Sequence, residues 1–106
     1  MNPLPITFYL GVAFLVFIIG LYILLAKRNI LRIVLGIETM LSGCNLAIIS
    51  LGNRLAGTGI DPLAQSIVII SIAVGAGVAA LAVALAALAY RRFGTLDITK
   101  LSELKG

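Results

Sequence analysis

Apolar residues in this chain do not alternate with polar ones. They gather into three long runs, Ile6 to Ala26, Ile30 to Leu51 and Ser66 to Tyr90. At about 1.5 Å of rise per residue, a helix of roughly 20 such residues crosses a hydrocarbon core of about 30 Å. Lipid offers backbone N–H and C=O groups no partners, so runs without period-two alternation must pair those groups internally, as helices. Only Lys27-Arg28-Asn29 separates the first two runs, which predicts a tight antiparallel hairpin. The next connection, Gly52 to Gln65, carries Gly52, Asn53, Gly57 and Gly59, and its Asp61-Pro62 pair signals a turn that leads into a helix. The pattern predicts an all-α membrane protein: one transmembrane domain over residues 1–106, with helices near 6–26, 30–51 and 66–90 and a tail over 91–106.

Composition narrows the class further. Of the 106 residues, 61% are hydrophobic and 11% charged, against roughly 45–50% and 25% in soluble domains. A soluble fold is thereby excluded. The formal charge of +4 would suggest nucleic acid in a soluble protein, but here the placement of the charges matters more than their sum. Lys27, Arg28 and Arg32 lie at one end of the helices, and the chain's crossings return Arg91, Arg92, Lys100 and Lys105 to that same end; the opposite end has only Arg54. The excess of positive charge predicts a cytoplasmic tail and an N-terminus outside. Expected partners are therefore the lipid bilayer and other membrane proteins, with no nucleic acid. Met1-Asn2-Pro3-Leu4-Pro5 has no basic stretch and the first run has no small-residue cleavage site, so that run is expected to be a retained helix. The chain has no histidine and a single cysteine, Cys44. Neither a thiolate zinc site nor a haem or copper site is expected.

Glu38 stands near the middle of the second run. A carboxyl at that depth costs about 2.5–3.5 kcal/mol on insertion scales, so such a residue is a functional candidate by default. Low-dielectric surroundings disfavour a carboxylate anion, which is what lets a buried carboxyl exchange protons. Proton or cation handling is the role this predicts for Glu38. The competing role is a neutral strut hydrogen-bonded between helices, worth on average only about 0.6 kcal/mol. Ser42 and Asn45 follow at i+4 and i+7 and share its face. They are possible relay helpers, though packing is the better expectation for both. Arg32, in the first turn of the second helix, is expected to snorkel to the interface and is also able to present charge to a nearby carboxylate. On the third helix Ser71, Gly75, Ala79, Ala82, Ala86 and Ala89 recur every three or four residues, a smooth face for close helix packing. One carboxyl does not make a path across about 30 Å, so the chain is expected to work inside a larger assembly.

Lys27-Arg28-Asn29-Ile30-Leu31-Arg32, then Gly36-Ile37-Glu38-Thr39-Met40-Leu41 with Asn45, and the closing Leu96-Asp97-Ile98 and Leu101-Ser102-Glu103-Leu104-Lys105-Gly106 resemble the K subunit of respiratory complex I. Asp61-Pro62-Leu63-Ala64-Gln65 and the small-residue run after it resemble the C subunit of Mrp-type cation/proton antiporters. These likenesses cover nearly the whole chain. They imply a small, non-catalytic membrane subunit of a proton- or sodium-translocating complex of the prokaryotic cell membrane, of complex I, Mrp, or membrane-bound hydrogenase or sulfur reductase type. They further imply large antiporter-like subunits and other small membrane subunits as partners, and no flavin, iron–sulfur cluster or quinone of its own. Glu38 matches an intramembrane carboxylate of the K subunit. That family's second carboxylate, in helix three, is missing; Ala76 stands at or near its place, which favours an antiporter-like module over a complete relay.

Other classes of protein also fit part of this pattern. A small multidrug exporter has a single embedded Glu, but in the first of four spans. A rotary-ATPase proteolipid has one carboxyl on a two-helix hairpin. A pure assembly scaffold would use Glu38 structurally.

Overall fold

The computed structural model describes residues 4–26, 28–57 and 59–103. Pro3, Lys27, Lys105 and residues 104–106 of the tail lie outside them. Three helices, α1 (Ile6–Ala26), α2 (Ile30–Leu55) and α3 (Pro62–Phe93), are long and apolar enough to cross a membrane, and a short α4 (Ile98–Glu103) follows. Among the described residues there is no strand, only an isolated bridge between Asn29 and Asp97.

Helix ends follow local chemistry and shift three of the boundaries expected from hydropathy. α2 runs to Leu55, past Leu51, because neither Gly52 nor Asn53 breaks it; the turn comes with Gly57, at φ +74°. α3 starts at Pro62, ahead of Ser66. Asp61 caps it, its side chain accepting from the Leu63 N–H at 3.2 Å, and Pro62 occupies the first turn, where no donor is needed. At the far end Arg91 and Arg92 continue α3 to Phe93, and Gly94, left-handed at φ 74°, closes it by donating its N–H to the Tyr90 carbonyl at 2.7 Å. The second loop is correspondingly short, and Asn53 Oδ1 ties it by accepting from the Asp61 N–H at 3.0 Å.

α1 and α2 meet backbone to backbone. A Cβ on Gly20 would lie 2.6 Å from Met40 N, one on Gly36 2.7 Å from Leu24 N, and one on Gly43 2.7 Å from Ala13 O. Ala13 and Gly20 are seven residues apart on α1, as are Gly36 and Gly43 on α2, so the small residues meet level by level in the antiparallel pair. Lipid tails are as apolar as Leu, so association here rests on van der Waals contact, which close approach maximises. α3 packs against a different face of α2 and less extensively. Its buried residues are Ala64, Val68, Gly75 and Ala86, while Val74, Val78, Leu81, Leu85 and Leu88 face outward.

The tail folds back onto the hairpin loop. Ile30 donates its N–H to the Leu96 carbonyl at 3.1 Å, Ile98 donates to the Arg28 carbonyl at 2.9 Å, and Arg28 Nη1 donates to Thr99 Oγ1 at 2.8 Å. Asn29 and Asp97, which face each other across this bridge, each cap the helix that follows: Asn29 Oδ1 accepts from Leu31 N and Asp97 Oδ1 from Thr99 N. The α1–α2 loop and the tail therefore lie at one end of the molecule.

Substituting Gly43 tests the tight pair. Gly43→Leu drives a side chain into the Ala13 backbone and should cost about 1–3 kcal/mol or more, whereas Gly77→Leu, with nothing within 4 Å of its Cβ position, should be near neutral. Detergent-titration unfolding of the isolated chain reads the difference.

Candidate functional site

Glu38 sits on α2, half-buried, and its carboxylate rests against α3 at Gly75. A Cβ on Gly75 would lie 3.4 Å from Glu38 Oε2, 3.5 Å from Oε1 and 3.0 Å from Leu41 Cδ2. The bare glycine backbone thus makes the room the carboxylate occupies. The placement follows from helical phase. At about 100° per residue, Gly36 and Gly43, which α1 claims, stand some 140–160° around α2 from Glu38. Committing the glycine face to α1 turns Glu38 toward α3. Among the described residues no side chain or backbone group donates to the carboxylate, and no Lys or Arg pairs with it.

Of the residues read with Glu38 from the sequence, the structure gathers some and separates others. Asn45 is 92% buried by its 8% relative exposure and shares the α3-facing side of α2 with Glu38 and Leu41. Ser42 is exposed, and its hydroxyl donates at 3.0 Å to the Glu38 backbone carbonyl, not to the carboxylate. Thr39 does the same to Leu35 at 2.8 Å. These back-bonds satisfy hydroxyls within their own helix, so Ser42 does not link Glu38 to Asn45. Arg32 is half-buried, with Nε shielded and without a hydrogen-bond partner among the described residues. It lies nearly two turns toward the hairpin loop and about 120° around the helix from Glu38, so the two charges do not face each other.

On α3, Ser71, Ala79, Ala82 and Ala89 are half-buried and Gly75 and Ala86 buried, while Ala76 is exposed. The small-residue face is the one turned to α2. Two features escaped sequence reasoning. The seven-residue spacing of Gly36 and Gly43 against Ala13 and Gly20 was visible but unremarked, and it selects the face Glu38 presents. Gly75 was legible as a packing residue, but its contact with the carboxylate depends on the antiparallel register of α2 and α3, which no single helix encodes. Among the described residues no three His, Cys, Asp or Glu side chains come together as a metal site.

The family described as NADH-ubiquinone/plastoquinone oxidoreductase chain 4L matches residues 8–106. The chain belongs to this family. Relatives within it span the whole of this chain and are themselves spanned whole. The NADH-quinone oxidoreductase subunit K of Pseudomonas syringae pv. tomato (strain ATCC BAA-871 / DC3000) is 37% identical over 106 residues. That of Pseudomonas putida (strain W619) is 36% identical and that of Pseudomonas aeruginosa (strain LESB58) 34%, each over the same 106 residues. Of the two likenesses drawn from the motifs, the K-subunit one is thus met; sodium transport and hydrogenase association are broader than these relatives' names. The small-exporter and scaffold alternatives gain no support. Together with the three spans, membership of the chain 4L family makes this a multi-pass protein of the bacterial inner membrane.

The Gly75 cradle is testable. Gly75→Leu should push the Glu38 carboxylate out of the helix contact toward lipid and raise its labelling by a lipid-soluble carbodiimide several-fold. Gly75→Ala, whose Cβ meets the carboxylate at ordinary contact distance and asks only a small shift of the flexible end of Leu41, should label like the unaltered chain. Peptide mass spectrometry of residue 38 reads both.

Proposed function

We propose that this chain is the small membrane subunit of a proton-translocating NADH-quinone oxidoreductase, in which Glu38 takes up and releases protons at the α2–α3 contact. The observation that carries this reading is a carboxylate within a membrane span, lodged against Gly75, with neither a cation nor a hydrogen-bond donor among the described residues. A structural strut would be hydrogen-bonded across the interface, and Glu38 has no such bond among the described residues. A carboxylate within a membrane span is a functional candidate by default, and among the described residues no cation locks this one in an ion pair.

The chain itself is non-catalytic in this proposal. It carries no histidine and one lone cysteine, a poor endowment for holding redox centres, so electron transfer belongs to other subunits. Its partners are large antiporter-like membrane subunits and other small membrane subunits, which complete a path that one carboxyl cannot span. Ala76 faces outward, so any second carboxyl at that level comes from a neighbour packed on the exposed side of α3. Arg28, Arg32, Arg91, Arg92 and Lys100 gather at the hairpin-and-tail end against Arg54 at the other, which supports the hairpin-and-tail end as cytoplasmic.

Glu38→Gln preserves shape and most hydrogen-bonding capacity but cannot titrate. In the assembled complex it should leave subunit composition unchanged on native gels while sharply lowering proton translocation in inverted membrane vesicles. Translocation equal to that of the unaltered complex would defeat the proposal.

A further inference from the structure

Asn45 is the one buried polar side chain among the described residues, at 8% relative exposure, and its amide makes no hydrogen bond to any of them. The amide is not among the fully shielded unbonded atoms, so a water still reaches it, and an amide enclosed this far is stabilised by a polar partner. Helical register identifies the other half of the site. Gly75 of α3 lies against Leu41 of α2, and Ala64 lies against Gly52; eleven residues separate each pair along its own helix. Asn45, four residues beyond Leu41, therefore comes level with Ser71, four residues before Gly75. Ser71 is half-buried on the face turned to α2. Unlike Thr39, Ser42 and Ser66, whose hydroxyls donate within their own helices, it has no hydrogen bond to a described residue. An amide and a hydroxyl, both unbonded and level across the looser of the two helix contacts, offer the two to four polar partners an internal water needs.

We infer that Asn45 and Ser71 hold an internal water between α2 and α3, and that this water anchors a short file continuing the proton path from Glu38 toward the α2–α3 loop. The inference rests on the proton-handling reading of Glu38. Asn45 stands seven residues from Glu38, about 10 Å along the helix, a gap that roughly three waters bridge at hydrogen-bond spacing. In the transfer, the protonated Glu38 carboxyl gives its proton to the oxygen of the nearest water. That water passes one of its own hydrogens to the next, and the last passes a proton to solvent water at the loop; one proton moves, every water in the file is restored, and Glu38 is left as the carboxylate until it takes up another proton. Asn45 is a positioning residue: its amide and the Ser71 hydroxyl fix the water and exchange no proton themselves.

The test uses the assembled oxidoreductase in inverted membrane vesicles, with proton translocation and NADH oxidation measured together. Asn45→Leu keeps the branched skeleton, at somewhat larger volume, and removes the amide. It should assemble normally and lower translocation roughly five- to tenfold, the scale of one lost hydrogen bond on the transfer path. Asn45→Gln should restore much of the loss. Ser71→Ala should lower translocation less, and the double variant should be no worse than Asn45→Leu alone, because both side chains serve one water. Full translocation by Asn45→Leu, or strictly additive losses, would overturn the inference. Glu38→Gln, measured alongside, keeps the two ideas apart: if it is impaired while Asn45→Leu is not, the water site fails and the Glu38 reading stands. Should Asn45→Leu fail to assemble, high-resolution cryo-electron microscopy of the unaltered complex decides. Water density within hydrogen-bond distance of both Asn45 and Ser71 supports the site, and a neighbouring subunit's side chain in that place overturns it.

Discussion

Close contact between the backbones of α1 and α2 is the interaction on which the rest of this structure depends. In lipid no hydrophobic gain brings two apolar helices together, so the pair that approaches most closely sets the geometry for the others. Here Gly20, Gly36 and Gly43 carry no Cβ where the backbones meet, and Ala13 adds only a methyl group. Once that face of α2 is used, its opposite side is what remains for α3, and Glu38 lies on it. A carboxyl group at bilayer depth is then met by Gly75, which has no side chain to crowd it. The tight contact is structural, and through nothing more than the pitch of a helix it determines which residues meet at the loose one, where we propose the chemistry lies.

The other end of the molecule is organised by hydrogen bonds. Helix ends leave backbone groups unpaired, and at the hairpin loop the chain resolves two such ends at once: Asn29 and Asp97 cap α2 and α4 while the residues beside them pair across the bridge. Arg28 reaches Thr99 over the same junction. The tail therefore holds the start of α2, the helix that carries Glu38, and links it to the end of α3. Both helices that flank the carboxylate are thus fixed relative to each other at the loop-and-tail end by this bridge and at the far end by Asn53 and the Gly52–Ala64 contact.

Much of this was legible in the sequence, and the reasons differ from element to element. Three helical spans follow from solvent physics alone, since lipid permits few other solutions for runs of this length. Glu38 was conspicuous because a carboxyl in such a run is costly. The small-residue face of α3 was visible by its spacing, and it is the face turned to α2. What could not be read was register. That Glu38 meets Gly75, that Asn45 comes level with Ser71 and that Ser42 turns outward to bond its own helix all depend on how two helices slide and rotate against one another. Helix ends were misjudged for a simpler reason: hydropathy reports where lipid begins, whereas Asp61-Pro62, Gly57 and Gly94 report where the helix does.

Redox-induced infrared difference spectroscopy on the assembled complex tests the central claim most directly, because it reads the protonation of individual carboxyl groups during turnover. If Glu38 exchanges protons at the α2–α3 contact, the spectrum contains a protonated-carboxyl C=O band that shifts in heavy water, is absent from the Glu38→Gln complex and persists in a Glu38→Asp complex at an altered frequency. Identical spectra from the unaltered and Glu38→Gln complexes would show that Glu38 keeps one protonation state throughout and would contradict the account.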